Sequence, residues 1–224
     1  MPDTHTAAHA ATTIHLVRHG RTILNRDVRC RGRLEVPLDE VGRSEAIAAG
    51  RALASEPIAA VYSSPLGRAL EVGTAIATAG GLREVVAHPD LVNLDYGRWE
   101  GLTDREAEEL DPSAWARYLA APEVAACPGG EALASAADRV VAAFLDIAER
   151  HPGETVAAVS HGVMVRLAVL RVVEEPLPDW QFRIPTGGSL VFRVDGGRIE
   201  LVSDVPTGSR NEQLEVAAAP AVVA

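Results

Sequence analysis

The segment IHLVRHGRT, residues 14–22, closes an apolar run with Arg18, His19, Gly20 and Arg21. A second apolar run, ETVAAVSHG at 154–162, closes with Ser160, His161 and Gly162. A third, IAAVYSS at 58–64, hands over to Pro65 and then Arg68. Each run reads as a short strand, so three strand ends deliver two imidazoles and two guanidiniums, Arg18 and Arg68. Guanidinium forks match the oxygens of a phosphoryl group in pairs and keep their charge at any relevant pH. A neutral imidazole nitrogen among them can attack phosphorus, while a second imidazole, protonated, would stabilise the equatorial oxygens. Such chemistry depends on positioning and charge stabilisation, so it needs no metal and no cofactor. The glycine after each histidine suits a sharp turn and a close approach of ligand to backbone.

The elements that must position these residues alternate. Strand patterns lie at 13–18, 58–64, 84–89 and 154–162. Helix patterns lie at 38–55, with apolar spacing Val41, Ala46, Ala49, Leu53 and Asp39 as N-cap, at 131–151, and from 163 to 172. A further helix runs to about Ala79, with Pro65 suited to its first turn. Residues 188–204 form a hairpin pattern around Asp195-Gly196-Gly197. The alternation predicts an α/β three-layer sandwich, a mostly parallel central sheet with helices on both faces and a C-terminal β-hairpin. In such sheets sites lie beyond the carboxyl ends of the strands. The domain is expected over 13–203, between a disordered tail at 1–12 and a C-terminal tail at 204–224.

Bulk properties narrow the function classes. The chain has 224 residues and a formal net charge of −10, which argues against nucleic-acid and anionic-membrane binding. An anionic ligand must therefore meet a local basic cluster. Cys30 and Cys127 form no CxxC pair and read as two reduced thiols. His5, His9, His15, His88 and His151 show no metal-ligand spacing. Trp99, Trp115 and Trp180 read as core or pocket wall. No signal peptide and no membrane-spanning run is evident, so a cytoplasmic protein is expected, as a monomer or a homodimer.

Six ordered motifs carry a resemblance: LVRHGRT with Asn25, RCRGRLEVPLDEVGRSEA, VYSSPLGRA, LDYGRWEGL, PGGE and VSHGVMVR. Together they resemble the histidine phosphatase superfamily, in its phosphoglycerate-mutase-like branch, over roughly residues 13 to 203. The resemblance implies that His19 is the phosphorylated nucleophile and that Arg18, Arg68 and His161 complete the phosphate pocket. Asn25 matches a polar residue that helps hold the phosphoryl group. Arg31 stands where many relatives carry glutamine and adds a third cation.

One position departs from the pattern. Relatives usually carry a carboxylic acid four residues before the glycine of DYGRWEG, to protonate the leaving oxygen. Here that position is Asn93, and an amide is no general acid at neutral pH. Three readings stay open. Asp95 substitutes, since i and i+2 of an extended segment share a side; or the leaving group needs little protonation, as in an acyl phosphate, a phosphoramidate or a pyrophosphate; or turnover is slow and binding is the task. Glu100 is expected as a structural partner of an amide or an arginine, and Glu131 as a carboxylate at a helix N-terminus. Gly73, inside a helix, suits close packing or a kink.

The leading expectation is a metal-independent phosphohydrolase of a small phosphorylated metabolite. The alternatives are a cofactor-dependent mutase, against which RWEGL speaks, and a repurposed or weakly active phosphate-binding protein. Selectivity is expected from an insert at 102–130 and a segment near 174–188, both suited to capping the crevice.

Overall fold

In the computed structural model, which describes residues 10–173 and 179–205, the apolar runs become strands β1 (Thr12–Arg18), β2 (Ile58–Ser63), β3 (Val86–Ala87), β4 (Thr155–Ser160), β5 (Ser189–Asp195) and β6 (Arg198–Leu201). They form one sheet in the order β3-β2-β4-β1-β5-β6. The first four are parallel, while β5 runs antiparallel to β1 and β6 antiparallel to β5. The helices are α1 (Ile23–Arg26), α2 (Glu40–Leu53), α3 (Gly67–Ala79), α4 (Asp104–Leu110), α5 (Pro112–Ala120), α6 (Leu133–Arg150) and α7 (Gly162–Val172). The expected three-layer sandwich with its C-terminal hairpin is therefore what the chain forms.

The two-residue period of the strands divides the core. Val17, Ala157 and Val159 point to one face and pack with Ala46, Leu53, Val72 and Ile76 of α2 and α3. Ile14, Leu16, Val156 and Ala158 point to the other, against Val140, Phe144 and Leu167 of α6 and α7. Strands covered on both faces must be apolar throughout, which is why β1 and β4 read as nearly unbroken runs. Each buried valine, leucine, isoleucine or phenylalanine among these contributes roughly 1.5–3 kcal/mol, and each alanine less.

Several boundaries move. Asp39 caps α2 by accepting from Gly42 N–H at 2.8 Å, but Val41 is exposed, because the helix buries only its Ala46–Ala49–Leu53 stripe. Pro65 lies outside α3, whose N-cap is Leu66. The expected strand at 84–89 shrinks to two residues, since β3 is an edge strand pairing only with Tyr62 and Ser63. A Cβ on Gly73 would press on Val85 at 3.0 Å, so close packing explains that glycine. Thr12, assigned to the tail, is the buried first residue of β1. Val205, also assigned to a tail, packs against the α6–α7 core. Residues 1–9 and 206–224 of the expected tails, and 174–178 of the expected cap, lie outside the described residues.

The 102–130 insert forms α4 and α5. Trp115 and Tyr118 stack at 5.1 Å, Trp99 meets Trp115 edge-on at 5.2 Å, and Trp180 meets Tyr118 at 5.3 Å. All three tryptophans are buried, as core residues. None of the described helices is long and apolar enough to cross a membrane.

Candidate active site

Strand register brings the two histidines together. Arg18 of β1 lies opposite Ser160 of β4, so the next residue on each strand is a histidine at the same carboxyl edge. His19 N–H donates to Ser160 O at 2.9 Å, and the two imidazole centroids lie 5.1 Å apart. Ser63 of β2 pairs with Val159, and Ser64 N–H donates to Val159 O at 2.8 Å, which sets Ser64 beside the same edge.

The His19 ring is fully buried. Its Nδ1 lies 2.6 Å from Gly20 O, a carbonyl that can only accept, so Nδ1 carries the proton and Nε2 carries the lone pair. That Nε2 has no hydrogen-bond partner among the described residues. Burial, followed by the guanidiniums of Arg68, Arg31 and Arg18, holds the imidazole well below its ordinary pKa, against the opposing pull of Gly20 O. The arrangement is that of a neutral nucleophile kept unprotonated by neighbouring cations.

His161 is held by a residue that sequence reasoning missed. Ser64 Oγ accepts from Leu66 N–H at 3.3 Å and lies 2.8 Å from His161 Nε2. Ser64 Oγ thus orients the ring through Nε2, and Nδ1 has no partner among the described residues. Burial, Arg68 and His19 hold this imidazole well below its ordinary pKa, and so oppose the protonated form expected to stabilise the equatorial oxygens. The signal for Ser64 lay in the Ser-Ser-Pro that ends IAAVYSS.

Arg18, Asn25, Arg31, Asn93 and His161 line one cleft, together with Arg29, Tyr96, Val163, Arg166 and Ile184, while His19 and Arg68 lie outside its lining. Arg18 donates to Ile184 O. A Cβ on Gly162 would stand 3.1 Å from Arg18 Nε, so that glycine admits the guanidinium. A Cβ on Gly20 would collide with Gly42 O, so Gly20 serves helix packing. Neither glycine has a positive φ, which corrects the expected turn role. Arg21 leaves the site, pairing with Asp39 at 2.8 Å. Arg68 lies beneath the cleft, donating to Leu34 O at 2.7 Å and Gly32 O at 2.8 Å; burial and Arg31 lower its pKa to about 10. Asn25 Oδ1 accepts from Thr22 N–H at 2.9 Å, which leaves its amide nitrogen for the cleft. Arg29 and Arg166 were missed, although both stand in the quoted motifs. No described residue of the 102–130 insert lines the cleft; the insert instead holds Arg29 through Glu106 at 3.0 Å, beside Gly101 O at 2.9 Å.

Asn93 is buried and fixed by backbone on both sides of its amide. Nδ2 donates to Gly32 O at 2.9 Å, and Oδ1 accepts from Leu94 N–H at 3.0 Å. Asp95 does not join it. Residues 93–96 are not a strand, and Asp95 accepts from Gly97 N–H at 2.9 Å and faces Arg33 at 3.5 Å. The i, i+2 rule fails there for want of extended pairing. Glu100 accepts from Arg33 N–H at 2.7 Å, a structural role.

Glu131 also departs from expectation. It lies ahead of α6 and accepts from Arg139 Nε at 2.8 Å and Nη2 at 3.0 Å, so a guanidinium fork is its partner. Burial opposes its charge, yet Arg139 holds its carboxyl below the ordinary value. Arg139 also donates to Asp90 O and Val92 O, each at 2.7 Å, and to Asn93 O at 3.0 Å, and so anchors the segment that carries Asn93. A Cβ on Gly97 or Gly130 would strike the other's backbone, which accounts for the glycines of DYG and PGGE.

Fold and site together define an α/β protein with two facing imidazoles in an arginine-rich anion cleft at the carboxyl edge of a parallel sheet. Residues 14–204 match the histidine phosphatase superfamily (branch 1), and the chain belongs to that superfamily. It is 38% identical over 166 residues to a metal-independent phosphoserine phosphatase of Arabidopsis thaliana, covering 73% of this chain and 69% of that one. It is 36% identical over 155 residues to phosphoglycerate mutase-like protein 4 of the same plant, covering 68% and 67%. Among solved structures, Bacillus stearothermophilus YhfR superposes with a TM-score of 0.79 at 32% identity, covering 88% of this chain and 98% of that one.

Proposed function

We propose that the chain is a phosphohydrolase of small phosphorylated metabolites and works through a phosphohistidine at His19. The observation that carries this reading is the His19 Nε2 lone pair, buried without a partner among the described residues and surrounded by Arg18, Arg31, Arg68 and His161. Nε2 attacks phosphorus as the leaving group departs on the opposite side. Arg18, Arg31 and His161 take the charge of the equatorial oxygens, and water then hydrolyses the phosphohistidine. No cofactor is called on in either step. Relatives named for phosphoserine make phosphoserine the first alkyl ester to assay.

The test is His19→Ala, assayed for phosphate release over a panel of phosphoryl compounds, with rapid quench of the wild type for an acid-labile phosphoenzyme. The expected result is a loss of about 10⁴-fold or more, with the phosphoenzyme gone. Unchanged turnover would overturn the reading. A rate that depends on added bisphosphate, with the phosphate moved between positions instead of released, would assign the mutase reaction.

A further inference from the structure

Cations, amides, the Tyr96 ring and the Cys30 side chain line the cleft, but no carboxyl group does among the described residues. The carboxylates around it are engaged elsewhere. Asp95 accepts from Gly97 N–H, Glu100 from Arg33 N–H, Glu106 from Thr103 N–H at 2.7 Å, Glu35 from Gly67 N–H at 3.2 Å, and Glu131 from Arg139. Asn93 has no proton to give, and both ends of its amide are tied to backbone. His161 is neutral, and a neutral imidazole is a very weak acid. Against this stand two further cations in the cleft wall, Arg29, which Glu106 already neutralises at 3.0 Å, and Arg166. Arg166 lies with its guanidinium carbon 5.7 Å from the Trp180 ring, which fixes the side chain against an aromatic face.

Resting on the phosphohydrolase reading, we infer that the preferred substrates are phosphoryl compounds whose leaving oxygen departs as a stable anion, acyl phosphates or phosphoanhydrides, and that Arg166 faces that anion. In the first step the Nε2 lone pair forms an N–P bond while the P–O bond to the leaving group breaks. The electron pair of that bond leaves on the departing oxygen, as a carboxylate or a phosphate, with no proton required. In the second step water forms the new P–O bond, the N–P bond breaks, its pair returns to Nε2, and both protons of the water leave with inorganic phosphate. An alkyl phosphate would expel an alkoxide, which does not leave without a proton, whereas a phosphoramidate protonated on nitrogen leaves as a neutral amine. Of the three readings of Asn93, the one that asks least of the leaving group is therefore retained.

The experiment measures kcat/KM of the wild type for acetyl phosphate, for aryl phosphates spanning a range of phenol acidity, and for phosphoserine, then repeats the series with Asn93→Asp. In that variant Gly32 O and Leu94 N–H would hold a carboxyl group where the amide now sits. The expected wild-type result is a steep fall in rate as the leaving group becomes less acidic, with phosphoserine at least about 10²-fold below acetyl phosphate, the usual worth of general acid help. Asn93→Asp should raise the phosphoserine rate by about 10²–10⁴-fold and flatten the dependence. A wild-type rate independent of leaving-group acidity overturns this inference while leaving the phosphohydrolase reading intact. The wild-type series decides the matter even if the variant fails to fold. Absence of turnover on every compound overturns both readings.

Discussion

The carboxyl edge of β1 and β4 and the segment from His88 to Thr103 both bring residues to the cleft, by opposite means. At the sheet edge the backbone does the placing. Register sets Arg18 against Ser160, and the histidines follow as the next residues. The His88–Thr103 segment has no strand and only the single 3₁₀ turns Pro89–Leu91 and Gly97–Trp99. Scattered backbone bonds to Ser63, Cys30, Pro128 and Glu131 hold it in place of a ladder, together with side chains: Arg139 on the carbonyls of 90, 92 and 93, Asp95 on Gly97, and Glu100 on Arg33. A site member placed by ladder register tolerates the loss of neighbouring side chains. One placed by a guanidinium clamp does not.

The comparison can be broken first within the edge itself, where two arginines flank one nucleophile. Arg18→Gln removes a donor aimed at the charge of the reacting group, and kcat/KM should fall by about 10²–10³-fold at unchanged thermal stability. Next comes the clamp. Arg139→Met strips donors from three carbonyls and leaves the half-buried Glu131 carboxylate with only Arg33 at 3.6 Å and Asp95 N–H at 3.3 Å, so it should destabilise by about 3 kcal/mol, a fall in Tm of roughly 6–12 °C by calorimetry. If stability holds and only activity changes, the segment is anchored by something other than Arg139.

A third measurement uses pH. His19 and His161 have folded pKa values below those of the unfolded chain, so the unfolded state binds more protons. Their contribution to stability is fully present above about pH 6.5 and is lost as pH falls below it, at a slope of up to about 1.4 kcal/mol per pH unit for each histidine. Denaturant titrations from pH 7.5 to 5 should show that slope, and His19→Ala should remove about half of it. The smallest effect is expected from Arg21→Gln. The Arg21–Asp39 pair is partly exposed, so stability should change by no more than about 1 kcal/mol and turnover hardly at all. A large loss of turnover there would mean that Arg21, too, serves the reacting group.

Legibility in the sequence followed the same division. The β1 and β4 ends were readable because buried parallel strands leave unbroken apolar runs, and whatever follows such a run stands at the site edge. Asp95 misled because the two-residue rule presumes an extended strand, and residues 93–96 form none. Ser64 and Arg166 stood within quoted motifs, yet only contact distances and lining gave them a place. The insert at 102–130 was expected over the crevice, but its aromatic residues pack into the core, since Trp115 and Tyr118 gain more from burial than from a wet rim.

Periodicity and the order of motifs alone determined the layered α/β architecture, the superfamily and the pairing of His19 with His161, because these depend on backbone pattern and on residues adjacent to strand ends. Tertiary structure decided the His19 tautomer, the Ser64 contact of His161, the exile of Arg21 and Asp95 from the cleft, and the hold of Arg139 on the Asn93 segment. The partners of Arg21, Asn93 and His161 lie 18 to 97 residues away along the chain, while the His19 tautomer and the place of Asp95 rest on the local backbone conformation of Gly20 and of one irregular loop, and no residue pattern records either.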